Sequence, residues 1–205
     1  MRNQKLRRVI FFAGVICITF SCQLRYVHAN TYRYGMITVK NEELPAKRNG
    51  RRVQFNHPYK LTENVIADVL SSIYYKEKGL FKRKGVLRVF QDKEIKHSVP
   101  LIVQAFSVAT PTQVISVSSY SERVVLTDKY NYCILFITDH DLNIAFGHVH
   151  KFQTYNDIMS DKKKYLVTRE NPAHKRRSSF WELVLSPGQR LEPGHENWIV
   201  IGLSN

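Results

Sequence analysis

Two histidines in one apolar run have the residue type and spacing of a metal site. His148 and His150 stand two residues apart within Leu142–Phe152, where large apolar residues alternate. Residues two apart lie on one face of an unbroken strand, so the sequence predicts that both imidazoles share a face. Two such imidazoles can bind a metal, with His140 as a third ligand. We favour the alternative of half-buried histidines near a strand end, with a bulge at Gly147 turning one of them outward.

The cysteine farthest from the N-terminus is the second candidate for chemistry. Cys133 lies inside the apolar run Tyr132–Phe136. A reactive thiol needs a helix N-terminus or basic neighbours to lower its pKa, and the centre of a strand offers neither. We therefore expect a buried, inert Cys133. The alternative is a cell-envelope hydrolase in which Cys133 acts with His148 and His150, since a cysteine followed by a histidine on a partner strand has the order of a wall peptidase.

Other signatures of catalysis are missing from the sequence. It contains no G-x-S-x-G, H-E-x-x-H, Walker or dinucleotide motif. We therefore predict no cofactor, no metal and no assigned catalytic residue. Three basic triplets remain as an anion-binding hypothesis, although such runs are usually solvated loops. They are Lys82–Lys84, Lys162–Lys164 and Lys175–Arg177.

The first 20 residues have the pattern of an export leader. Residues 1–8 contain four basic side chains and no acid, and Val9–Phe20 is a 12-residue apolar run. A spanning helix needs about 20 apolar residues to cross a hydrocarbon core about 30 Å thick, so this run is too short. A basic start with a short apolar core is typical of a secretory signal. The alternative is an uncleaved, marginal membrane anchor.

Two processing sites compete after this run. Ser21-Cys22 resembles the bacterial lipobox, where signal peptidase cuts before a cysteine that becomes diacylated; of the residues before the cysteine, only Ser21 agrees with that pattern. This slightly favoured site makes 1–21 the signal peptide and Cys22 the lipid attachment site. A cut after Ala29 matches the ordinary small-residue rule and gives a soluble protein that starts at Asn30.

The charge of the chain indicates anionic partners. Thirty-one Lys and Arg residues stand against 17 Asp and Glu, a formal net charge of +14, and removal of the four positive charges in residues 1–21 leaves about +10. After export, the available anions are phospholipid head groups, lipopolysaccharide phosphates and acidic wall polymers. The expected partners are membrane lipid through Cys22 and anionic envelope polymers or an envelope protein, and no nucleic acid is expected.

The elements that must position these residues indicate an α+β fold, a single domain with a mostly antiparallel sheet and two main helices. Residues 22–52 are predicted to be an N-terminal tether with one strand at Arg33–Val39, and residues 53–205 the domain. One helix is predicted over Leu61–Ile73 with Thr62 as its cap, and a second from Ser98 with Pro100 in its first turn. The predicted strands of the domain are Val86–Phe90, Val114–Val117, Arg123–Thr127, Tyr132–Thr138, Leu142–Phe152, Phe180–Leu185 and Trp198–Leu203.

With the Cys22 leader, the chain resembles a small exported bacterial lipoprotein of an envelope family that has no assigned activity. The stretches HPYKLT, GVLRVF, AFSVATP and LNIAFGHV carry the rest of this resemblance. It implies no catalytic residue. Gln23 follows Cys22 where Asp retains many such lipoproteins at the inner membrane, so the resemblance implies an outer membrane lipoprotein facing the periplasm; the alternative is a soluble periplasmic or secreted protein. We expect a non-enzymatic binding or structural role, with the hydrolase or a metal-binding protein as alternatives.

Overall fold

The computed structural model describes residues 30–34, 37–43, 47–48, 51–52, 54–79, 85–121, 129–152 and 171–203. Two α-helices lie in these ranges, α1 (Glu63–Ser71) and α2 (Asp92–Val108). The strands are β1 (Thr31–Tyr34), β2 (Ile37–Glu43), β3 (Lys47–Arg48), β4 (Arg51–Arg52), β5 (Tyr74–Glu77), β6 (Leu87–Arg88), β7 (Gln113–Ser121), β8 (Lys129–Thr138), β9 (Asp141–Phe152), β10 (Trp181–Val184), β11 (Gln189–Leu191) and β12 (Trp198–Gly202).

Seven of these strands form one antiparallel sheet in the order β1-β2-β7-β8-β9-β12-β11. A smaller antiparallel sheet has the order β10-β5-β6, and β3 pairs with β4. With α1 and α2, this is the predicted α+β fold with a mostly antiparallel sheet. A turn at Asp139-His140 joins β8 directly to β9.

The main core lies between the large sheet, the two helices and the small sheet. Its members, here called the inner cluster, include Ile66 and Leu70 from α1, Ile102 and Phe106 from α2, and Trp181 from β10. Thr62 caps α1 as predicted, since its hydroxyl oxygen accepts the N–H of Val65 at 3.3 Å. The opposite face of the sheet carries a second set of buried residues, the outer cluster. It consists of Phe55, Val114, Tyr130, Tyr132, Ile134, Phe136 and Ala145.

The predicted start of the second helix was wrong. Helix α2 begins at Asp92, before the predicted Ser98, and Pro100 lies inside it rather than in its first turn. Its N-terminus is fixed by Glu94, whose carboxylate accepts the N–H of Gln91 at 2.8 Å. Pro100 is exposed and removes only one backbone hydrogen bond, which the long apolar face of this helix outweighs.

The predicted N-terminal tether was also wrong in part. The single strand expected at Arg33–Val39 is a hairpin of β1 and β2, in which Tyr34 pairs with Ile37. Strand β2 continues to Glu43 and pairs with β7, so this segment belongs to the domain. Asn41 is fully buried and its Nδ2 donates to the carbonyl of Ala105 at 3.0 Å, which links β2 to the end of α2.

Other predicted strands agree in place but differ in length. Strands β8, β9 and β12 match their predictions within a few residues, whereas Val86–Phe90 contributes only the two residues of β6. The strand predicted at Arg123–Thr127 lies outside the described residues.

Two bulges interrupt the ladder between β8 and β9. Cys133 pairs with Phe146 and Tyr132 pairs with His148, so Gly147 is an extra residue in β9. A second irregularity follows at His150, whose φ of 46° lies in the left-handed region. Gly147 also allows close packing, because a Cβ at this position would lie 2.8 Å from Cδ1 of the buried Tyr132.

Strand β8 continues past Leu135, its last residue paired with β7. There the segment before α1 forms the hydrogen bonds to the backbone of β8. Asn56 N–H donates to the carbonyl of Ile137 at 2.8 Å, and Ile137 N–H donates to Nε2 of His57 at 3.1 Å. The His57 ring is 5% exposed and packs edge-on against Phe106. Burial lowers the pKa of His57 to about 4, and backbone contacts with Gln113 and Thr110 oppose this shift only in part.

We predict that Gly147→Ala lowers the free energy of unfolding by about 1–3 kcal/mol, because the new methyl group overlaps the Tyr132 ring in a packed interior. Urea unfolding measures the change. Gly202→Ala is the matched control, since its Cβ would meet only Asp141 Oδ1 at 3.8 Å. Equal stabilities for the two variants would contradict the proposed overlap.

We predict that stability falls between pH 6.5 and pH 4 through His57. A depressed pKa means that the folded state holds the neutral ring, so the contribution is complete above pH 6.5 and is lost as the pH drops toward 4. The shift corresponds to about 3 kcal/mol. Urea unfolding at pH 7.5 and pH 4 should show a smaller pH dependence for His57→Gln than for the native chain. His140→Gln, at an exposed turn, should leave that dependence unchanged.

Candidate functional site

Cys133 is buried in the inner cluster and is 1% exposed. It pairs with Val117 on one side and Phe146 on the other, and it forms no disulfide. Burial raises the pKa of its thiol far above the usual range, so the thiolate is not available at neutral pH. This matches the expected buried cysteine and removes the nucleophile that the hydrolase alternative requires.

The prediction that His148 and His150 share one face was wrong. The bulge at Gly147 shifts the alternation of side chains, so that His148 contacts the ring of Tyr130 in the outer cluster. His150 instead packs against Tyr75, a member of the inner cluster, with ring centroids 5.0 Å apart. The alternative of a bulge that separates two half-buried histidines describes this arrangement.

His140 also fails as a third ligand for these histidines. It lies in the turn before β9, whereas His148 lies eight residues farther on. A strand rises about 3.3 Å per residue, which separates them by about 25 Å. Within the part of the chain that the structure describes, no three His, Cys, Asp or Glu side chains are grouped to bind a metal.

His150 belongs to a buried polar group that the sequence did not predict, here called the glutamate cluster: Glu94, Ser119, Asn131 and His150. One carboxylate oxygen of Glu94 accepts the Ser119 hydroxyl at 2.7 Å and Nδ2 of Asn131 at 3.3 Å. Asn131 Oδ1 accepts the backbone N–H of His150 at 2.8 Å. His150 Nε2 lies 2.8 Å from the carbonyl of Val89, so this nitrogen carries the proton and donates.

The glutamate cluster connects four elements rather than forming an open site. Glu94 comes from the first turn of α2, and the other members come from β7, β8 and the bulged end of β9. Glu94, Ser119 and Asn131 are each at most 5% exposed. Lys129, two residues before Asn131, is also buried and forms an ion pair with Glu77 at 3.5 Å. These contacts hold α2 and β5 to the sheet and account for the strained backbone of His150.

Two arginines line a groove on the described surface, which we call the arginine groove. It has a volume of about 670 Å³, with Arg176 and Arg177 on one side and the segment 191–196 on the other. The backbone holds the two sides together, because Glu196 N–H donates to the carbonyl of Arg176 at 2.6 Å. A turn shapes the second side, in which Gly194 has a φ of 80° that favours glycine.

Lys175 fixes the segment that carries the two arginines. Its ammonium group donates to the carbonyl of Gly147 at 2.8 Å and lies over the ring of Trp181 at 5.9 Å. Lys175 is therefore turned toward the fold, while Arg176 and Arg177 are exposed. Of the three basic triplets, Lys175–Arg177 has one residue that anchors the segment and two that face solvent.

The remaining sequence-predicted residues lie outside the described ranges. These are Cys22, Lys82–Lys84 and Lys162–Lys164. Sequence reasoning missed Glu94, Ser119 and Asn131, which lie up to 37 residues apart. The one local signal was the spacing of Gln91 and Glu94, which has the form of a capping box. Nothing in the sequence paired the Arg176-Arg177 segment with residues 191–196.

Comparison of the chain with protein-family models, curated proteins and solved structures gives no match. Neither helix in the described part of the chain has the length and apolar composition that a membrane span requires.

We predict that Glu94→Ala lowers the free energy of unfolding by about 2–4 kcal/mol, because it removes the acceptor of the buried Ser119 hydroxyl and one of the acceptors of Asn131 Nδ2. Asp92→Ala is the control. It removes the same charge from the same turn, but its side chain is 88% exposed and its ion pair with Arg88 lies at the surface, so we expect a loss of no more than about 0.5 kcal/mol. Urea unfolding compares the variants, and equal losses would contradict a structural role for the glutamate cluster.

Proposed function

We propose that this protein is exported and acts as a non-enzymatic binding protein of the bacterial cell envelope, tethered to the outer membrane through Cys22. The observation that carries this proposal is the leader, with four basic residues in 1–8, the apolar run Val9–Phe20 and the following Ser21-Cys22. The basic charge that remains after cleavage supports attraction to anionic envelope surfaces, an attraction that salt weakens.

The state of the candidate catalytic residues supports binding over hydrolysis. The Cys133 thiol is buried with a raised pKa, and His148 lies on the opposite face of the sheet. His150 uses its ring nitrogen and its backbone in hydrogen bonds that hold the fold. A hydrolase would need an accessible nucleophile beside a base, and these three residues do not form that pair.

The arginine groove supports a role in binding. It offers two exposed guanidinium groups beside a turn with a fixed shape. Arginine is well suited to the oxyanions that dominate bacterial envelopes, because its planar group donates two parallel hydrogen bonds. The proposal therefore assigns attachment to Cys22 and recognition to the folded domain.

We predict that the mature protein begins at a diacylated Cys22 and fractionates with membranes. Each buried CH₂ contributes about 0.8 kcal/mol, and two or more chains give stable attachment. Cys22→Ala should release the protein from membranes, whereas Cys17→Ala, a cysteine inside the leader, should not. Intact mass of the membrane fraction checks the start of the chain. A lipid-free species that begins at Asn30 would refute the anchor.

A further inference from the structure

The arginine groove contains two exposed cations, Arg176 and Arg177. Neither the Arg176 nor the Arg177 guanidinium forms an ion pair or a side-chain hydrogen bond with the residues that the structure describes. The lining also contains two acids, Glu192 and Glu196, so its formal charges balance. Glu196 pairs with Lys78 at 3.4 Å, and Lys78 also lies 3.7 Å from Glu182. The groove is therefore a concave surface with two guanidinium groups that no described carboxylate binds.

The side of the groove that faces the arginines has both polar and apolar residues. The ring of His195 packs edge-on against Trp198 with ring centroids 5.0 Å apart, and its Nδ1 donates to the carbonyl of Pro193 at 3.1 Å. In the neutral ring this leaves Nε2 as an acceptor for a hydroxyl group. Leu191 and Pro193 add apolar surface beside it. A ligand that matches this side has both hydroxyl groups and C–H surface.

We propose that the arginine groove binds the phosphate group of a sugar phosphate or polyol phosphate. Arg176 and Arg177 bind the phosphate oxygens, His195 accepts a hydroxyl hydrogen, and Leu191 and Pro193 contact the carbon skeleton. Glu192 weakens the binding of highly charged anions and so favours a single phosphate. The choice of a phosphorylated ligand rests on the proposed envelope function, since such groups are abundant there, but the free cations are a property of the folded domain.

The test measures the affinity of the purified full-length chain for glucose 1-phosphate by calorimetry at low ionic strength. Arg176→Gln and Arg177→Gln should each weaken binding about 10-fold or more, because each removes charge-assisted hydrogen bonds to phosphate. Glu192→Gln should strengthen it about two- to five-fold by removing a like charge. Lys96→Gln is the control, since this exposed lysine of α2 has the same charge and lies outside the groove; its affinity should stay within two-fold.

Further probes show which part of the ligand the groove recognises, and whether the ligand is a lipid head group or a soluble molecule. Inorganic phosphate should bind more weakly than glucose 1-phosphate but with the same dependence on Arg176 and Arg177, and glucose alone should not bind. Vesicles of phosphatidylglycerol present a polyol phosphate at a membrane surface. Binding to these vesicles that is lost in Arg176→Gln identifies a lipid head group as the source, whereas binding of the soluble probe alone identifies a free or polymer-borne phosphate. Both outcomes support the site.

The proposal fails if the arginine variants bind like Lys96→Gln, or if glucose binds as tightly as its phosphate. The side chains of Arg176 and Arg177 are exposed, so the thermal unfolding of these variants should be unchanged. A loss of folding would therefore not mimic the expected loss of binding. Because the measurement uses purified protein, its outcome does not depend on export. A chain that begins at Asn30 would overturn the Cys22 anchor and leave the groove unaffected.

Discussion

Strand β8 must be buried on both of its faces, and most of the architecture serves that requirement. It lies in the middle of the large sheet, paired with β7 and β9. Cys133 and Leu135 face the inner cluster, whereas Ile134 and Phe136 face the outer cluster. A strand in which every residue from Tyr132 to Ile137 is apolar cannot have a solvated side there. The helices and the small sheet therefore cover one face, and Phe55 reaches the other from the segment before α1.

Polar residues inside this apolar framework act as connectors. The carboxylate of Glu94 joins α2 to β7 and β8, and Asn131 extends the glutamate cluster to β9. Asn197 does similar work, because its Nδ2 donates to the carbonyls of Phe146 at 2.8 Å and Pro172 at 3.0 Å. Each such group costs free energy unless it is hydrogen-bonded, so each bond also selects one arrangement of the neighbouring segments. Residues that carry catalysis in other proteins here specify the fold.

The sequence predicted features that local patterns determine, and it missed those set by distant contacts. The helical spacing of Ile66 and Leu70 and the cap at Thr62 were sufficient to place α1. Pro100 suggested a helix start because proline favours a first turn, but packing of the apolar face against the sheet extended α2 past it. The alternation through His148 and His150 failed because the ladder has two irregularities: the extra residue at Gly147 turns His148 to the outer cluster, and the second bulge at His150 turns that residue back to the inner cluster. The arginine groove needed two segments that only the fold brings together.

The imidazole of His57 takes the place of a strand backbone in the hydrogen-bond ladder of β8, and this affects association between chains. Strand β8 extends beyond its last residue paired with β7, so the N–H and carbonyl of Ile137 would otherwise form an open sheet edge. Asn56 and His57 occupy both groups, one through its backbone and the other through its ring. A side chain in this place ends the ladder, because no further strand can add beyond it. The same contact that stabilises one molecule thus guards its most apolar strand against intermolecular β-pairing, and with it against aggregation.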